Sequence, residues 1–319
     1  VNQVECLAEG SVGSLGHRSS LSFRVYSLAW VLPGVQFVAL VGTLASTCTQ
    51  TCACATTRPS ARPDRPAPTA VSKADSEVRN RRRCSRLPTV PGVNGVELTR
   101  TLTELHRSCT PGARVHLVLP SRADVGDQEL ADIAEGGGFV IRRRFATRAS
   151  VLHRQWTIPD TVAPAMRLLI CGLNPSPSAA EAGVGFARPG NRFWPVALAA
   201  GLVTRDRDPD DALAKHGIGM TDIVKRTTRR ADELGREEFR LGLGRVTRLA
   251  ARLQPRGICF VGLQGWRTVI DAKAGPGWQH RPLGDRPVYV MPSTSGLNAS
   301  SRLDDLTAHL HAAWMGPPG

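Results

Sequence analysis

The chain has 319 residues, 41% of them hydrophobic, which excludes a chain too polar to build a packed core. A formal net charge of +14 points to a polyanionic partner, most often nucleic acid, with a solvated basic surface as the competing reading. Residues 1–160 hold 20 basic against 13 acidic residues and the remainder 21 against 14, so the excess belongs to both halves and not to a tail.

Residues 25–57 contain no Asp, Glu, Lys or Arg, and Leu28 to Leu44 is apolar apart from Gln36 and Thr43. Such a run suits a signal peptide or a marginal membrane span, but Pro33, Gly34 and Gln36 interrupt it and it is short for a span. A Pro, Ala, Arg and Ser mixture follows from Thr56 to Arg86, including Arg81-Arg82-Arg83; that composition cannot bury a core. Residues 1–92 are therefore expected to be low-complexity and disordered, or to lie upstream of the true start; both readings stay open. Cys48, Cys52 and Cys54 cluster without a following His or second CxxC pair at zinc spacing. Cys171 and Cys259 sit in apolar strand-like runs, where a cysteine acts as a small hydrophobe. The expectation is no metal and a reducing, cytoplasmic compartment.

Globular patterning begins near residue 93. Leu98, Leu102, Leu105 and Cys109 have helical spacing, Val115 to Leu119 reads as a strand, Asp127 to Ala134 as a helix and Phe139 to Arg143 as a strand. This small α/β segment, residues 93–158, resembles the end of an S-adenosylmethionine-dependent methyltransferase domain. Its Gly136-Gly137-Gly138 precedes a strand instead of following one, so an inert appendage is expected.

From Arg167 the pattern alternates. Strands are predicted at Arg167 to Leu173, Gly257 to Leu263 and Pro287 to Met291, with a short strand or turn at Ile218 to Val224. Helices are predicted at Arg192 to Gly201, Arg236 to Leu253, Gln264 to Lys273 and Leu303 to Trp314. In the long helix Leu241, Val246, Leu249, Ala250 and Leu253 are assigned inward, and Arg245, Arg248 and Arg252 outward to solvent. Strands apolar on both faces and separated by helices imply a short parallel central sheet in a three-layer α/β/α domain over residues 159–319. Ligands of such sheets sit at the carboxyl ends of strands. Gly172-Leu173-Asn174-Pro175-Ser176 and Pro292-Ser293-Thr294-Ser295-Gly296-Leu297-Asn298 both leave strand ends there.

These two segments, with Gly185 to Trp194 (GFARPGNRFW) and Gly217 to Val224 (GIGMTDIV) followed by Arg226-Thr227-Thr228, resemble in order and spacing the mismatch-specific uracil/thymine-DNA glycosylases. The resemblance covers about residues 165–315. It implies a uracil-DNA glycosylase-like fold and a monofunctional enzyme that hydrolyses the bond between deoxyribose and a flipped-out uracil opposite guanine, with thymine or etheno-cytosine as further candidates. In its terms Asn174 positions the attacking water. Leu173, Phe186 and Ser293 hold the base; Leu297 wedges into the vacated stack, and Gly296 and Asn298 face the orphaned guanine. Arg188, Arg192, Lys225, Arg226, Arg229 and Arg230 are the candidates for phosphate contacts. Duplex DNA with a mismatched or damaged base is the implied partner of a monomer without cofactor or membrane, nucleoid-associated in a prokaryotic cell. No lysine lies in the Asn174 or Ser293 motifs, so no Schiff-base lyase step is expected. The chain departs from the pattern at Ser176-Pro177, where relatives carry Gly-Leu, and at Asn298-Ala299, where an arginine is missing.

Overall fold

Alternating and continuous apolar runs build two different sheets in the computed structural model, which describes residues 26–32, 35–41, 94–120, 123–145 and 148–318. The first sheet takes strands β1 (Tyr26–Leu32) and β2 (Val35–Val41) and then helix α1 (Gly95–Ser108), started by the Asn94 side chain, which accepts from the Val96 and Glu97 amides. There follow β3 (Arg114–Val118), α2 (Asp127–Gly136), β4 (Phe139–Arg144) and β5 (Ala149–Arg154). Its order is β1-β2-β3-β5-β4, and every pairing is antiparallel. Along β3 burial alternates: Val115 and Leu117 are buried, while Arg114, His116 and Val118 are exposed. One face of β3 therefore packs with Leu98, Leu102, Leu130 and Ile133 of the two helices, and its other face is exposed, as antiparallel sheets allow. The apolar run expected as a signal or membrane segment contributes β1 and β2, and among the described residues no helix is long and apolar enough to cross a membrane. Residues 42–93, with Cys48, Cys52, Cys54 and the triple arginine, lie outside the described residues.

The second sheet is built from β6 (Leu168–Gly172), β7 (Ile218–Asp222), β8 (Ile258–Val261), β9 (Gly277–Leu283) and β10 (Arg286–Met291). Helices α3 (Pro177–Ala182), α4 (Phe193–Ala199), α5 (Pro209–His216), α6 (Arg236–Leu253), α7 (Leu263–Val269) and α8 (Leu303–Met315) surround it. The order is β7-β6-β8-β10-β9, parallel except for β9 at one edge. All five residues of β6 are buried. Leu169 and Cys171 pack with α6 and α7, through Val246, Leu249 and Trp266. Leu168 and Ile170 pack with Phe193, Trp194, Leu306 and Leu310 of α4 and α8. This is the three-layer arrangement expected, with an antiparallel β9 added. The run GWQHRPL has no apolar stretch to announce that strand.

One face assignment is corrected. Arg245 is buried and Leu241 is 58% exposed, the reverse of the expected orientation. Arg245, Arg248 and Arg252 form a column on α6 that meets acidic partners: Asp160 at the start of the second domain, and Asp132 and Glu129 of α2. Arg245 bonds Asp160 at 2.7 Å, Arg248 bonds Asp132 through two nitrogens at 2.6 and 2.9 Å, and Arg252 reaches Glu129 at 3.3 Å. Arg248 and Arg252 reach helix α2 while Arg248 stays exposed, so the outward assignment fails at Arg245 alone. Asp160 ties the two units together: besides Arg245 it accepts from Lys225 at 2.8 Å and Thr221 at 2.7 Å, and its carbonyl accepts from Thr103 of α1. Burial alone would raise its carboxyl, but Arg245 and Lys225 outweigh this and hold it below the usual carboxylate range.

Candidate active site

The carboxyl ends of β6, β7, β8 and β10 open into one cavity of about 990 Å³, where the strand-end rule places it. Leu173, Asn174, Phe186, Arg188, Ser293, Leu297 and Asn298 all line it, so the two separated motifs converge. They are joined directly. The Arg192 amide donates to the Thr294 carbonyl at 2.9 Å, and the Thr294 hydroxyl donates to the Asn191 side chain at 3.0 Å. At Gly296 an added Cβ would lie 2.9 Å from the Gly190 carbonyl oxygen, so only glycine lets the two loops touch.

Asn174 leaves β6 and enters the cavity with its orientation set. Its amide nitrogen donates to the carbonyls of Pro175 at 3.1 Å and Arg226 at 3.0 Å, and to the Thr228 hydroxyl at 2.8 Å. Thr228 in turn donates to the Arg230 carbonyl. All three neighbours need a donor, so the NH2 end must face them and Oδ1 must face away, which fixes the choice that amide geometry alone leaves open. Ser176-Pro177, the departure from the family pattern, starts α3: Ser176 caps it by accepting from the Ala179 amide, and Pro177 takes the first turn.

Phe186 holds a left-handed backbone, φ 60°, a conformation that costs a non-glycine residue energy and persists where the surroundings over-determine it. Its ring stacks on Phe193 at 4.2 Å between centroids and 22° between planes. Trp194 anchors the same loop by donating to the Gly185 carbonyl. At Gly172 an added Cβ would collide with the Asp222 carboxylate and come within 3.3 Å of the Phe186 ring. The missing side chain is what lets a carboxylate and an aromatic edge share the strand end.

Asp222 is the residue that sequence reasoning passed over. It lies at the last position of β7 and lines the cavity. Burial raises its carboxyl above the ordinary range, although Lys225, 3.8 Å away, opposes this. An acidic residue closing a parallel strand was the available signal.

The basic candidates divide. Arg188 and Arg229 are exposed at the cavity and have no carboxylate partner among the described residues. Four others have partners within the protein. Lys225 is buried on Asp160. Arg226 is clasped by both Glu238 oxygens at 2.7 and 2.9 Å. Arg192 donates to the carbonyls of Ser301 at 2.6 Å and Asn298 at 2.7 Å, closing the second loop. Arg230 is paired with Asp232. Asn298 also has partners within the loop: its amide donates to the Ser293 carbonyl and its oxygen accepts from Ser300. Leu297 projects at 82% exposure.

Residues 159–315 match the family model described as the uracil DNA glycosylase superfamily. Among the described residues no group of three or more His, Cys, Asp or Glu is arranged to hold a metal ion; Cys109, Cys171 and Cys259 are buried free thiols.

Proposed function

From the premise that residues 159–315 are a domain of the uracil DNA glycosylase superfamily, which supports a DNA glycosylase-like function, we propose that this chain releases uracil opposite guanine from duplex DNA. The observation that carries the reading is Asn174, whose NH2 group is wholly used by the protein and whose Oδ1 is left to accept a hydrogen bond from water in the cavity.

An amide orients water but cannot take its proton near neutral pH. Asp222, on the same cavity, can. In the proposed step the glycosidic bond breaks and its electron pair leaves with the base. The water oxygen bonds to C1′ of the sugar, and the proton it loses goes to the Asp222 carboxylate. Charge develops on the departing base, so bases that leave readily are favoured and uracil ranks ahead of thymine. Phe186, braced by Phe193, offers a planar wall to an extruded base, with Leu173 and Ser293 on other walls. Leu297, exposed and apolar at the rim, has the character of a wedge for the gap in the stack. Arg188 and Arg229 are the side chains left for the phosphates beside it.

The test is single-turnover base release from duplexes carrying uracil, thymine or etheno-cytosine opposite guanine. Free uracil should appear fastest. Binding of the mismatch with no free base from any of the three would leave a DNA-binding protein in place of a glycosylase.

A further inference from the structure

A second cavity, of about 840 Å³, lies where the first unit meets the glycosylase domain. It shares a wall with the first. Trp156, Arg226 and Thr227 line the second cavity, while Ile158, Thr228 and Arg229, one or two residues along the same segments, line the first. The wall is locked: the Thr227 hydroxyl donates to the Trp156 carbonyl, and the Arg226 carbonyl receives the Asn174 amide.

The far side of this second cavity is the edge strand β4, whose Arg142, Arg143 and Arg144 are exposed. Arg144 is paired with Asp127, but Arg142 and Arg143 have no carboxylate partner among the described residues; Arg143 lies over the Phe145 ring. Trp156 is 49% exposed, although nothing compels an indole to face water. Arginines without counter-charge beside an open aromatic ring are the side chains that recognise a phosphodiester backbone and the bases or sugars next to it.

We propose that this surface of the appended unit is a second DNA-binding site, which takes the duplex flanking the nucleotide held in the first cavity. The proposal rests on the glycosylase reading of that cavity. Two or three residues of extended chain plus a cavity of this volume place Arg142 and Arg143 roughly 15–20 Å from the first cavity, about four to six base pairs at 3.4 Å each. The two ion pairs between α6 and α2, Arg248–Asp132 and Arg252–Glu129, hold the unit in that position.

The experiment measures binding of the full chain by fluorescence anisotropy. One duplex extends about ten base pairs on both sides of a central G·U pair; two others are cut to about two base pairs on one side, in either polarity. Arg142→Ala/Arg143→Ala should weaken binding to the long duplex by on the order of tenfold and flatten log K against log salt by about 1.8, the slope of two lost phosphate contacts. One of the cut duplexes should bind wild type and variant alike. Trp156→Ala should weaken binding to the long duplex without changing the salt slope. Wild-type affinity and slope in the arginine variant, or an equal loss on all three duplexes, would overturn the proposal. Base release by the wild type is read in parallel: absence of free uracil speaks against the glycosylase reading alone, while the anisotropy still decides the surface.

Discussion

Strands β3 and β6 are both five residues long and interior in five-stranded sheets, yet β3 alternates between exposed and buried and β6 is buried throughout. The difference follows from what covers them. Helices on both faces of the parallel sheet leave polar residues one place to go, the carboxyl rim, and Asn174, Asp222 and Ser293 are found there together. Helices on one face of the antiparallel sheet leave its other face and its β4 edge open, and arginines occupy that edge. Chemistry belongs to the region covered twice, and surface charge to the region covered once. The two are joined through Asp160.

That junction gives the largest expected effect. Asp160→Asn removes the carboxylate bonded to the buried Arg245 and Lys225, leaving Lys225 with Asp222 at 3.8 Å, and breaking a buried pair in this way costs about 3–5 kcal/mol. Denaturant unfolding should show the loss as a lower midpoint. An unchanged midpoint would mean that the two buried cations find other partners.

Next comes the rim. Asp222→Asn should lower base release by on the order of a hundredfold, the scale of a general base. The sign of the pH effect follows from the raised carboxyl. The base acts when deprotonated, so wild-type activity should fall with decreasing pH at a higher pH than an ordinary carboxylate would give. The variant should lack that limb, and a shared pH profile would exclude Asp222 from proton transfer.

Thr228→Val removes one of three acceptors holding Asn174, a loss of about 1 kcal/mol in positioning, or roughly fivefold in kcat with KM unchanged. Thr228→Ser should restore it, which a packing role for the methyl group would not allow.

The smallest effect lies in the first unit. His106 is buried and donates from Nε2 to the Gln155 carbonyl at 3.2 Å, and burial pulls its pKa down to about 3. The unfolded chain binds this proton near pH 6.5. The contribution of His106 to stability is therefore complete above about 6.5 and is lost as pH falls toward 3. His106→Gln should flatten the decline in melting temperature between pH 6.5 and 4.5; identical declines would show that carboxylates alone set it.

Much of the fold was legible because its signals are local. The apolar run Leu168 to Cys171, the α6 pattern and its stop before Pro255, and the turn residues after β6 and β10 each lie within a few positions. β5 and β9 escaped because neither has an apolar run: β5 buries only Ser150 and Leu152, and β9 only Leu283. Arg245 was assigned to solvent for a different reason. The acidic partners of Arg245, Arg248 and Arg252 are 85, 116 and 123 positions away, and nothing in an amphipathic helix says whether its charged face meets water or an acidic neighbour. At the site, Asn174 and Phe186 were nameable from their motif, whereas the competing engagements of Arg192, Lys225 and Arg226 depend on side chains brought in by folding. Asp222 lay within a recognised segment, but its closeness to Gly172 exists only across two paired strands.

The central claim is that Asn174 directs water at the sugar of an extruded uracil. Single-turnover release from a G·U duplex by the full chain, wild type against Asn174→Ala, tests it most directly. The expected result is free uracil from the wild type and a loss on the order of a hundredfold or more in the variant. Equal release by both proteins, or none by the wild type, would contradict it.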